Sequence, residues 1–598
     1  MQRKRRNLRW SGALVAALLT ACGGVDGGEN PDAGTGAGAC AQPKEIGGTI
    51  TTEVTIGEEC SNWTVTKTLF VDEGGRLIIK PGTTLTFPSG TALRVEGGSL
   101  TAEGTASAPI LLTGAQKTRG SWQGVNLHDS NSTLNVLAHV TIEYAGSQKF
   151  YWAHAPAALA LTTSSTSLSS TLSMENTTLW ESAGYGLDLE RGAVLTSFTG
   201  NTLTKNASGA AITTPTTAGA LLAGNGYTGN DKDLVMVWND REITGSVTWR
   251  SLGVPFHAET VYVNGSLTVE PGTTVAFLSG AFLEVEGGSL KAQGMADKKI
   301  VFTGAQKTRG YWKGIEFRTS DSIDNILEHA VVEYAGSARF YWAHAPANVA
   351  LTTSDRAVKT RVAISQTELR ESAGYGLVVE RDTQAAGFTG NTLTRNALGA
   401  AHVFASTAHS LLDSSSYSGN DTGKDLVFVM EDNIGTQVTW AGLDVPFRLE
   451  RFSVLANGHL TVSAGARLEF KAGADLYVEE GALTAVGTAA KPIVFTRAPD
   501  VAGKWKGLSF HNSASTQNRL EHVEIRHGGS TKFYWATQAA NLALTDSGTG
   551  SVVALSNVTL GEGGGLGMWV SDISTVSSCT SVSFIDNASG TSNHATCQ

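Results

Sequence analysis

Short triplets of apolar, polar and apolar residues recur along most of this chain. The alternation puts two side chains of each triplet on one face and one on the other, as in a β-strand. Turn residues such as Pro81-Gly82 and Gly97-Gly98 separate the triplets and suit tight corners with positive φ. In the clearest stretch, four successive triplets begin at Leu77, Leu85, Leu93 and Leu100.

Three such strands occupy about 23 residues, which is the length of one coil of a parallel β-solenoid. Sustained helical periodicity is absent after the N-terminal segment. The pattern therefore predicts an all-β solenoid built from stacked coils of three short strands.

The pattern is written three times. Residues 77–104, 267–294 and 460–487 repeat one another at offsets of 190 and 193 residues. We predict three copies, at 45–240, 241–433 and 434–598, the last with a C-terminal cap. Each copy would hold roughly eight coils of this length. Strand-like pattern continues through both junctions, which favours one continuous rod; three separate β-helical domains are the alternative.

The motifs of the copies resemble bacterial right-handed parallel β-helix repeat proteins of the pectin-lyase-like superfamily. The resemblance rests on the LTVxPGTTLxF pattern, on Pro109-Ile110 and Pro492-Ile493, and on a WxG element in each copy. The second copy has Ile300 without the preceding proline. It covers nearly the whole chain after the N-terminal segment and implies a right-handed coil. It implies little about activity, because the superfamily includes lyases, hydrolases, adhesins and proteins without known activity. The WxG elements are Trp122-Gln123-Gly124, Trp312-Lys313-Gly314 and Trp505-Lys506-Gly507.

The N-terminus predicts export. Residues 1–21 combine a basic head with a short apolar run and end at Leu19-Thr20-Ala21-Cys22, which resembles a bacterial lipoprotein signal. That resemblance implies lipidation of Cys22 and anchoring at the cell envelope, most naturally the outer membrane. An ordinary secretory signal is the alternative, and Arg5-Arg6 also resembles a twin-arginine signal. The Gly-rich residues that follow Cys22, within 22–44, predict a flexible tether.

Charge narrows the range of partners. Removing the five positive residues of 1–21 lowers the formal net charge from −10 to −15. No basic stripe remains, which argues against nucleic acid and against peripheral binding to anionic lipids. The expected partners are the membrane, through the lipid anchor, and a polysaccharide or another cell-surface component.

The four remaining cysteines stand at the two ends of the repeats. Cys40 and Cys60 lie at the entrance of the first copy, and Cys579 and Cys597 lie at the end of the third. In an exported protein these pairs predict two disulfides that pin the terminal coils. A metal site built from all four thiolates is the alternative, and it would require the two ends to meet.

No catalytic residue, metal site or cofactor is predicted. Asp231 and Asp233 have counterparts in Asp421 and Asp425, but these aspartates stand in a polar turn. The spacing of His139 and Glu143 would put them ~13 Å apart on a strand, too far for one metal ion. The position of His154 and His344 is Thr537 in the third copy, which argues against a general base.

An aromatic run in each copy is the strongest binding candidate. Consecutive aromatic residues in an extended segment cannot all face the core, so at least one per copy should be exposed or covered by a loop. Exposed rings beside a cation suit stacking on sugar faces, and three such platforms would bind a polymer multivalently. The alternative is that the rings fill a corner of the coil or seat a loop. The residues are Phe150, Tyr151, Trp152, Phe340, Tyr341, Trp342, Phe533, Tyr534 and Trp535.

Asparagines in the NTLT-x-N motifs predict ladders between coils. These ladder positions are Asn201, Asn206, Asn391 and Asn396. Function is therefore predicted to be non-catalytic: a lipid-anchored rod for adhesion or polysaccharide binding. A polysaccharide lyase or glycoside hydrolase is the alternative, and a pure structural spacer is a third possibility.

Overall fold

The computed structural model of the chain describes residues 40–594 and 597. Segment 1–21, Cys22 and most of the tether lie outside these residues. The described chain consists of 54 β-strands and two single-turn 3-10 helices, at Thr217–Ala220 and Ala408–Ser410. Within it, no helix has the length and apolarity needed to cross a membrane.

The strands follow one another in chain order. In the first copy they are β1 Lys44–Ile50, β2 Glu53–Ile56, β3 Asn62–Asp72, β4 Arg76–Ile79, β5 Thr84–Phe87, β6 Ala92–Glu96, β7 Ser99–Glu103, β8 Ile110–Gly114, β9 Gly124–His128, β10 Val136–Ala138, β11 Val140–Glu143, β12 Ala157–Thr162, β13 Ser170–Glu175, β14 Thr178–Trp180, β15 Tyr185–Leu189, β16 Ala193–Thr199, β17 Thr202–Thr204 and β18 Gly209–Thr213. The next strands are β19 Val235–Val237, β20 Ser246–Trp249, β21 Phe256–Ala258, β22 Val261–Val263, β23 Ser266–Val269, β24 Thr274–Phe277, β25 Phe282–Glu286, β26 Ser289–Gln293, β27 Ile300–Gly304, β28 Gly314–Arg318, β29 Ile326–Glu328, β30 Ala330–Glu333, β31 Ala347–Thr352, β32 Thr360–Ser365, β33 Glu368–Arg370, β34 Tyr375–Val379, β35 Thr383–Thr389, β36 Thr392–Thr394 and β37 Gly399–Phe404. The last are β38 Val427–Met430, β39 Asp432–Ile434, β40 Gln437–Trp440, β41 Phe447–Leu449, β42 Phe452–Val454, β43 His459–Val462, β44 Arg467–Phe470, β45 Asp475–Glu479, β46 Ala482–Val486, β47 Ile493–Arg497, β48 Gly507–His511, β49 Arg519–Arg526, β50 Ala540–Thr545, β51 Val552–Gly561, β52 Leu566–Val570, β53 Thr575–Thr580 and β54 Ser583–Ile585.

The strands stack in three parallel columns, and this confirms the predicted fold. β4 pairs with β7, β5 with β8 and β6 with β9, so each coil contributes one strand to each column. Leu77 pairs with Leu100, which lies one coil of 23 residues further on. The fold is a parallel β-helix, in agreement with the right-handed solenoid that the resemblance implies. Its core is the stack of inward-facing Leu, Val, Ile and Phe side chains.

The coils are longer and fewer than the sequence spacing suggested. Seven parallel steps lead from β9 to β27, the coil of the second copy that corresponds to β8 and β9. The expectation of roughly eight coils per copy was therefore too high. The reason is that loops lengthen some coils, so that Val136 pairs with both Thr101 and Ser173.

The ladders of parallel strands continue across both junctions, but they change column there. β18, in the third column of the first copy, pairs with β19; β19 pairs with β21, and β21 with β24, which stands in the second column of the next copy. The path β37, β38, β41 and β44 repeats this switch. New third columns begin with β22 and β39. The third columns of the three copies consequently belong to three different sheets.

The tryptophan of each WxG element is buried in the core and makes the same contacts in all three copies. Trp122, Trp312 and Trp505 are fully buried. They stack on phenylalanines of the second column, with ring centroids 4.0, 4.5 and 4.2 Å apart. Their indole N–H groups donate to backbone carbonyls 2.8, 2.8 and 2.7 Å away. Each tryptophan therefore fixes the start of the strand that follows it in the third column.

Both predicted disulfides form. Cys40 bonds Cys60 and Cys579 bonds Cys597, with Cα atoms 5.4 and 5.8 Å apart. The two bonds lie at opposite ends of the strand order, where the first and last coils have a neighbour on one side only. The four-thiolate metal site is thereby contradicted.

The predicted asparagine ladders also form. Asn206 accepts a hydrogen bond from the Ser182 N–H at 3.1 Å and donates to the Leu179 carbonyl at 3.2 Å. Its own N–H donates to the side chain of Asn230 in the next coil, at 3.0 Å. Asn201, Asn391 and Asn396 make the same kind of bonds. The ladders satisfy buried backbone groups at the corners between columns.

Candidate functional site

Each aromatic run lies in a loop that covers the outer face of the third column. We call residues 146–156, 336–346 and 529–539 the aromatic loops. In all three, the phenylalanine is buried against alanines of the sheet and the loop: Phe150, Phe340 and Phe533 are each 1% exposed. Phe150 packs with Ala92 and Ala160, which point outward from β6 and β12. The phenylalanine therefore holds the loop on the sheet. For this ring, the structure agrees with the alternative that the aromatic residue packs the loop and does not bind a ligand.

The tyrosine and tryptophan of each loop point into solvent instead. Tyr151, Tyr341 and Tyr534 are 80, 80 and 83% exposed, and the adjacent tryptophans are 46, 42 and 47% exposed. Within each pair the rings meet edge to face, with centroids 5.0, 4.9 and 4.9 Å apart. The prediction that at least one ring per copy is exposed is confirmed, and the same geometry occurs three times.

In the first and third copies, a histidine at the end of a third-column strand lies below the exposed tryptophan. Trp152 lies parallel to His128 with ring centroids 6.0 Å apart, and Trp535 lies parallel to His511 at 5.8 Å. The second copy has Arg318 at this position, where it pairs with Glu284 and Glu286. One face of the indole is therefore supported in the first and third copies.

The middle residue of the WxG element supports the same loop from below. In the first copy Gln123 donates to the Lys149 carbonyl at 3.2 Å. In the second and third copies the ammonium groups of Lys313 and Lys506 lie over the rings of Phe340 and Phe533, 4.5 and 4.7 Å from the centroids. Sequence reasoning missed this role, although the WxG element precedes the aromatic run by a fixed number of residues.

The cation that precedes each aromatic run has a structural task in two copies. Arg339 donates to the Ala343 carbonyl at 2.8 Å, and Lys532 donates to the Ala536 carbonyl at 3.1 Å. These bonds close the turn that carries the exposed rings.

Buried carboxyl groups hold the first loop down. The N–H of His154 donates to Glu190 at 2.6 Å, and the N–H of Ala155 donates to Asp188 at 3.3 Å. Burial, and then repulsion by Glu190, raises the pKa of Asp188 far above its usual range. Burial also raises the pKa of Glu190 to about 7. Both carboxyls are buried under the loop, Asp188 on β15 and Glu190 directly after it.

The second copy holds its loop through the matching glutamate, and the third copy uses a different contact. In the second, Glu380 accepts from the N–H of His344 and bonds its Nδ1, each at 2.7 Å. In the third, Trp569 donates to Thr537 at 3.0 Å. The side chains beneath the loops are thus only partly shared among the copies, whereas the exposed Tyr–Trp pair is common to all three.

The histidines considered as possible bases serve the loops. His154 stacks on Trp238 with ring centroids 4.3 Å apart, and burial lowers its pKa. His344 meets Phe404 edge to face at 5.2 Å. Both therefore lie in contacts between the loop and the coil beneath it.

The repeated aspartates considered as catalytic candidates are tied into the coils. Arg119 bridges Asp231 at 2.6 Å and Glu181 at 2.7 Å, and the charge pairs raise the pKa of this guanidinium. Arg309 makes the equivalent pairs with Glu371 and Asp421 in the second copy. The segments 114–120 and 181–187 therefore meet in space, although 62 residues separate the arginine from the glutamate.

His139 and Glu143, which were considered as metal ligands, also have structural positions. His139, His329 and His522 stand at corners with φ of 48, 45 and 48°. The Glu143 carboxylate accepts a hydrogen bond from the Thr113 hydroxyl at 2.7 Å and forms an ion pair with Lys117 at 3.1 Å. Among residues 40–594 and 597, no cluster of three or more His, Cys, Asp or Glu side chains is suited to a metal ion.

Comparison with known proteins supports the fold. Residues 48–149 match a family model described as a pectate-lyase-like β-helix domain. A search of curated proteins finds no match to the chain. The matched region includes β4 to β11 and the start of the first aromatic loop. The resemblance to pectate-lyase-like parallel β-helices is thus confirmed.

Proposed function

We propose that this protein is an exported, lipid-anchored β-helix that binds polysaccharide through its three exposed Tyr–Trp pairs and does not cleave it. The observation that carries this proposal is the repetition of one surface: a buried phenylalanine, then an exposed tyrosine and a half-exposed tryptophan set edge to face. The glutamate that holds the loop is shared by the first two copies, as Glu190 and Glu380, whereas the third copy holds its loop through Trp569 and Thr537.

The exposed rings have a clear physical use in carbohydrate binding. A tyrosine that is 80% exposed contributes little to the core, while its flat apolar face fits the C–H face of a pyranose. The buried phenylalanine and the WxG element hold the loop, so little entropy is lost when a sugar stacks on it. The description of the matching family, pectate-lyase like, also supports a carbohydrate ligand.

The spacing of the pairs suits a long ligand. Seven coils separate the loops of the first and second copies, which corresponds to about 34 Å along the stack. A short oligosaccharide meets one pair, whereas a polymer can meet several and gain affinity through effective concentration. The third columns lie on different sheets, so a polymer that meets several pairs must also wind partly around the stack.

Export and anchoring rest on the N-terminal sequence. The basic head, apolar run and Cys22 support a lipoprotein signal, and the Gly-rich tether would hold the β-helix away from the envelope surface. The two disulfides at the ends of the stack agree with an oxidising compartment. We place the protein at the bacterial cell envelope, in the outer membrane.

The proposal is tested with a Trp152→Ala/Trp342→Ala/Trp535→Ala variant. We expect it to lose retention on polysaccharide in affinity gel electrophoresis while its melting temperature stays within a few degrees of wild type, because these rings are half exposed. The control is Ile323→Ala, which removes an apolar side chain that is 81% exposed and lies outside the loops. Unchanged retention of the triple variant would refute the proposal.

A further inference from the structure

The second copy has clefts beside its aromatic loop. One cleft of ≈ 210 Å³ is walled by Trp342 and His344 and extends to Arg356. A second cleft of ≈ 650 Å³ continues from it towards Lys359, Arg361 and Asn433. Both are lined by Arg381 and Asp382, so they form one path that begins at the exposed indole.

Three cations along this path have no partner in the described part of the chain. The side chains of Arg356, Lys359 and Arg361 make no hydrogen bond, ion pair or ring contact there, whereas Arg381 is held by Asp432 at 2.8 Å and lies 4.0 Å from the Phe404 ring centroid. The excess of free cations is unusual on a chain of formal net charge −10 and raises the local potential for anions.

Four carboxylates also line the path, and two of them are already engaged. Glu380 is bonded by His344, and Asp432 is held by Arg381 and Ser406. Asp321 and Asp382 remain without an ion-pair partner among the described residues. Along the clefts, three free cations thus meet two free carboxylates. Arg356 lines the same cleft as Trp342, and Lys359 and Arg361 line the second cleft.

The cluster is specific to the second copy. The first copy has Thr166, Ser169 and Thr171 at the positions of the three cations. The third copy has a shorter turn, and residues 546–552 include no lysine or arginine. The aromatic pair is common to all copies, whereas these three cations occur in the second copy alone.

We propose that these two clefts form a subsite for an anionic polysaccharide. Trp342 stacks on one sugar ring, and Arg356, Lys359 and Arg361 bind acidic groups further along the same chain. Carboxylates and sulfates share the required chemistry, since both accept charge-assisted hydrogen bonds from guanidinium and ammonium groups. This subsite rests on the proposed function, because it extends the surface of one Tyr–Trp pair.

The test compares polymers that differ in charge. Full-length protein in detergent is titrated with dextran, polygalacturonate and dextran sulfate at low and moderate salt. In an Arg356→Ala/Lys359→Ala/Arg361→Ala variant, we expect affinity for both anionic polymers to fall about ten-fold, the sum of three exposed charge pairs. Affinity for dextran is expected to stay unchanged, and the salt dependence of anionic binding to shrink.

Two control variants isolate the site. Lys67→Ala/Lys291→Ala/Lys298→Ala makes the same change in net charge on side chains away from the clefts and should alter anionic binding less than about two-fold, since distant charges are screened. Thr166→Arg/Ser169→Lys/Thr171→Arg transfers the cations to the first copy and should strengthen anionic binding.

The outcomes separate the two claims. If dextran binding depends on the Tyr–Trp pairs but removal of the three cations leaves anionic binding unchanged, the subsite is refuted and the proposed function stands. An equal loss for dextran and for the anionic polymers, or a ten-fold loss in the lysine control, also refutes the subsite. If the wild-type protein binds none of the three polymers, both claims are refuted.

Discussion

Replacing Glu190 by glutamine tests how the first aromatic loop is held. In the wild type, Glu190 and Asp188 stand two residues apart on the outer side of the third column and accept the N–H groups of His154 and Ala155. Both carboxyls are buried, and the pKa of each is raised. Glutamine keeps an oxygen acceptor for the His154 N–H and removes the charge.

The size of the effect follows from the pKa of Glu190. A carboxyl whose pKa lies at 4.5 in the unfolded chain and at about 7 in the folded one binds more protons in the folded state between those values. The free energy of unfolding therefore falls as pH rises through this window, and the loss is complete above pH 7. For this carboxyl it amounts to about 3 kcal/mol.

The expected result is a variant whose free energy of unfolding exceeds that of the wild type most at high pH. We expect Glu190→Gln to stabilise the first copy by up to about 3 kcal/mol at pH 8 and to have little effect near pH 4.5. Thermal unfolding and hydrogen exchange of the His154 and Ala155 amides, measured for both proteins at each pH, provide the readout. Glu103→Gln, at an exposed position, is the matched control.

A variant that loses exchange protection equally at both pH values would contradict this reasoning. Such a result would show that the hydrogen-bonding geometry of the carboxylate, and not its charge, dominates at this site. The third copy offers an internal reference, because its loop is held by Trp569 and Thr537 and should show no titration in this window.

Two further predictions concern the stack and its anchor. Asn396→Ala removes the acceptor of the buried Ser372 N–H and the donor to the Leu369 carbonyl. We therefore expect the free energy of unfolding in urea to fall by about 3 kcal/mol. A loss below about 1 kcal/mol would contradict the claim that the asparagine ladder stabilises the stack. Cys22→Ala should release the protein from membrane fractions on centrifugation, and a variant that stays membrane-bound would refute the lipid anchor.

Much of the fold could be predicted because each strand is marked locally. The triplets that begin at Leu77, Leu85 and Leu93 become β4, β5 and β6, shifted by one residue. Turn residues such as Gly82 and Gly97 adopt the positive φ that their type suggests. The disulfides were predictable as well, since four cysteines at the two ends leave few pairings.

The contacts that build the site were not predictable from the sequence. Trp152 lies over His128, and Arg119 meets Asp231, 112 residues later in the chain. Such contacts depend on how many residues each loop adds to its coil, which strand spacing does not reveal. The column switch at the junctions was missed for a related reason. The sequence of β21 has the pattern of a strand, but that pattern does not show which column the strand joins.

The proposal for the aromatic loops also depended on structure. The sequence shows only that three adjacent rings cannot all be buried. The structure shows which ring is buried: Phe150 packs on the sheet and Tyr151 points into solvent. The phenylalanine therefore holds the loop on the sheet, and the tyrosine and tryptophan are left exposed for a ligand.

The most direct test of the central claim is a crystal structure of the protein soaked with a short oligosaccharide of a polymer that it retains. The account predicts sugar rings stacked on the exposed faces of the Tyr–Trp pairs, at Trp152, Trp342 and Trp535, with the loops unmoved. Sugar bound in another groove, with these three pairs bare, would contradict it.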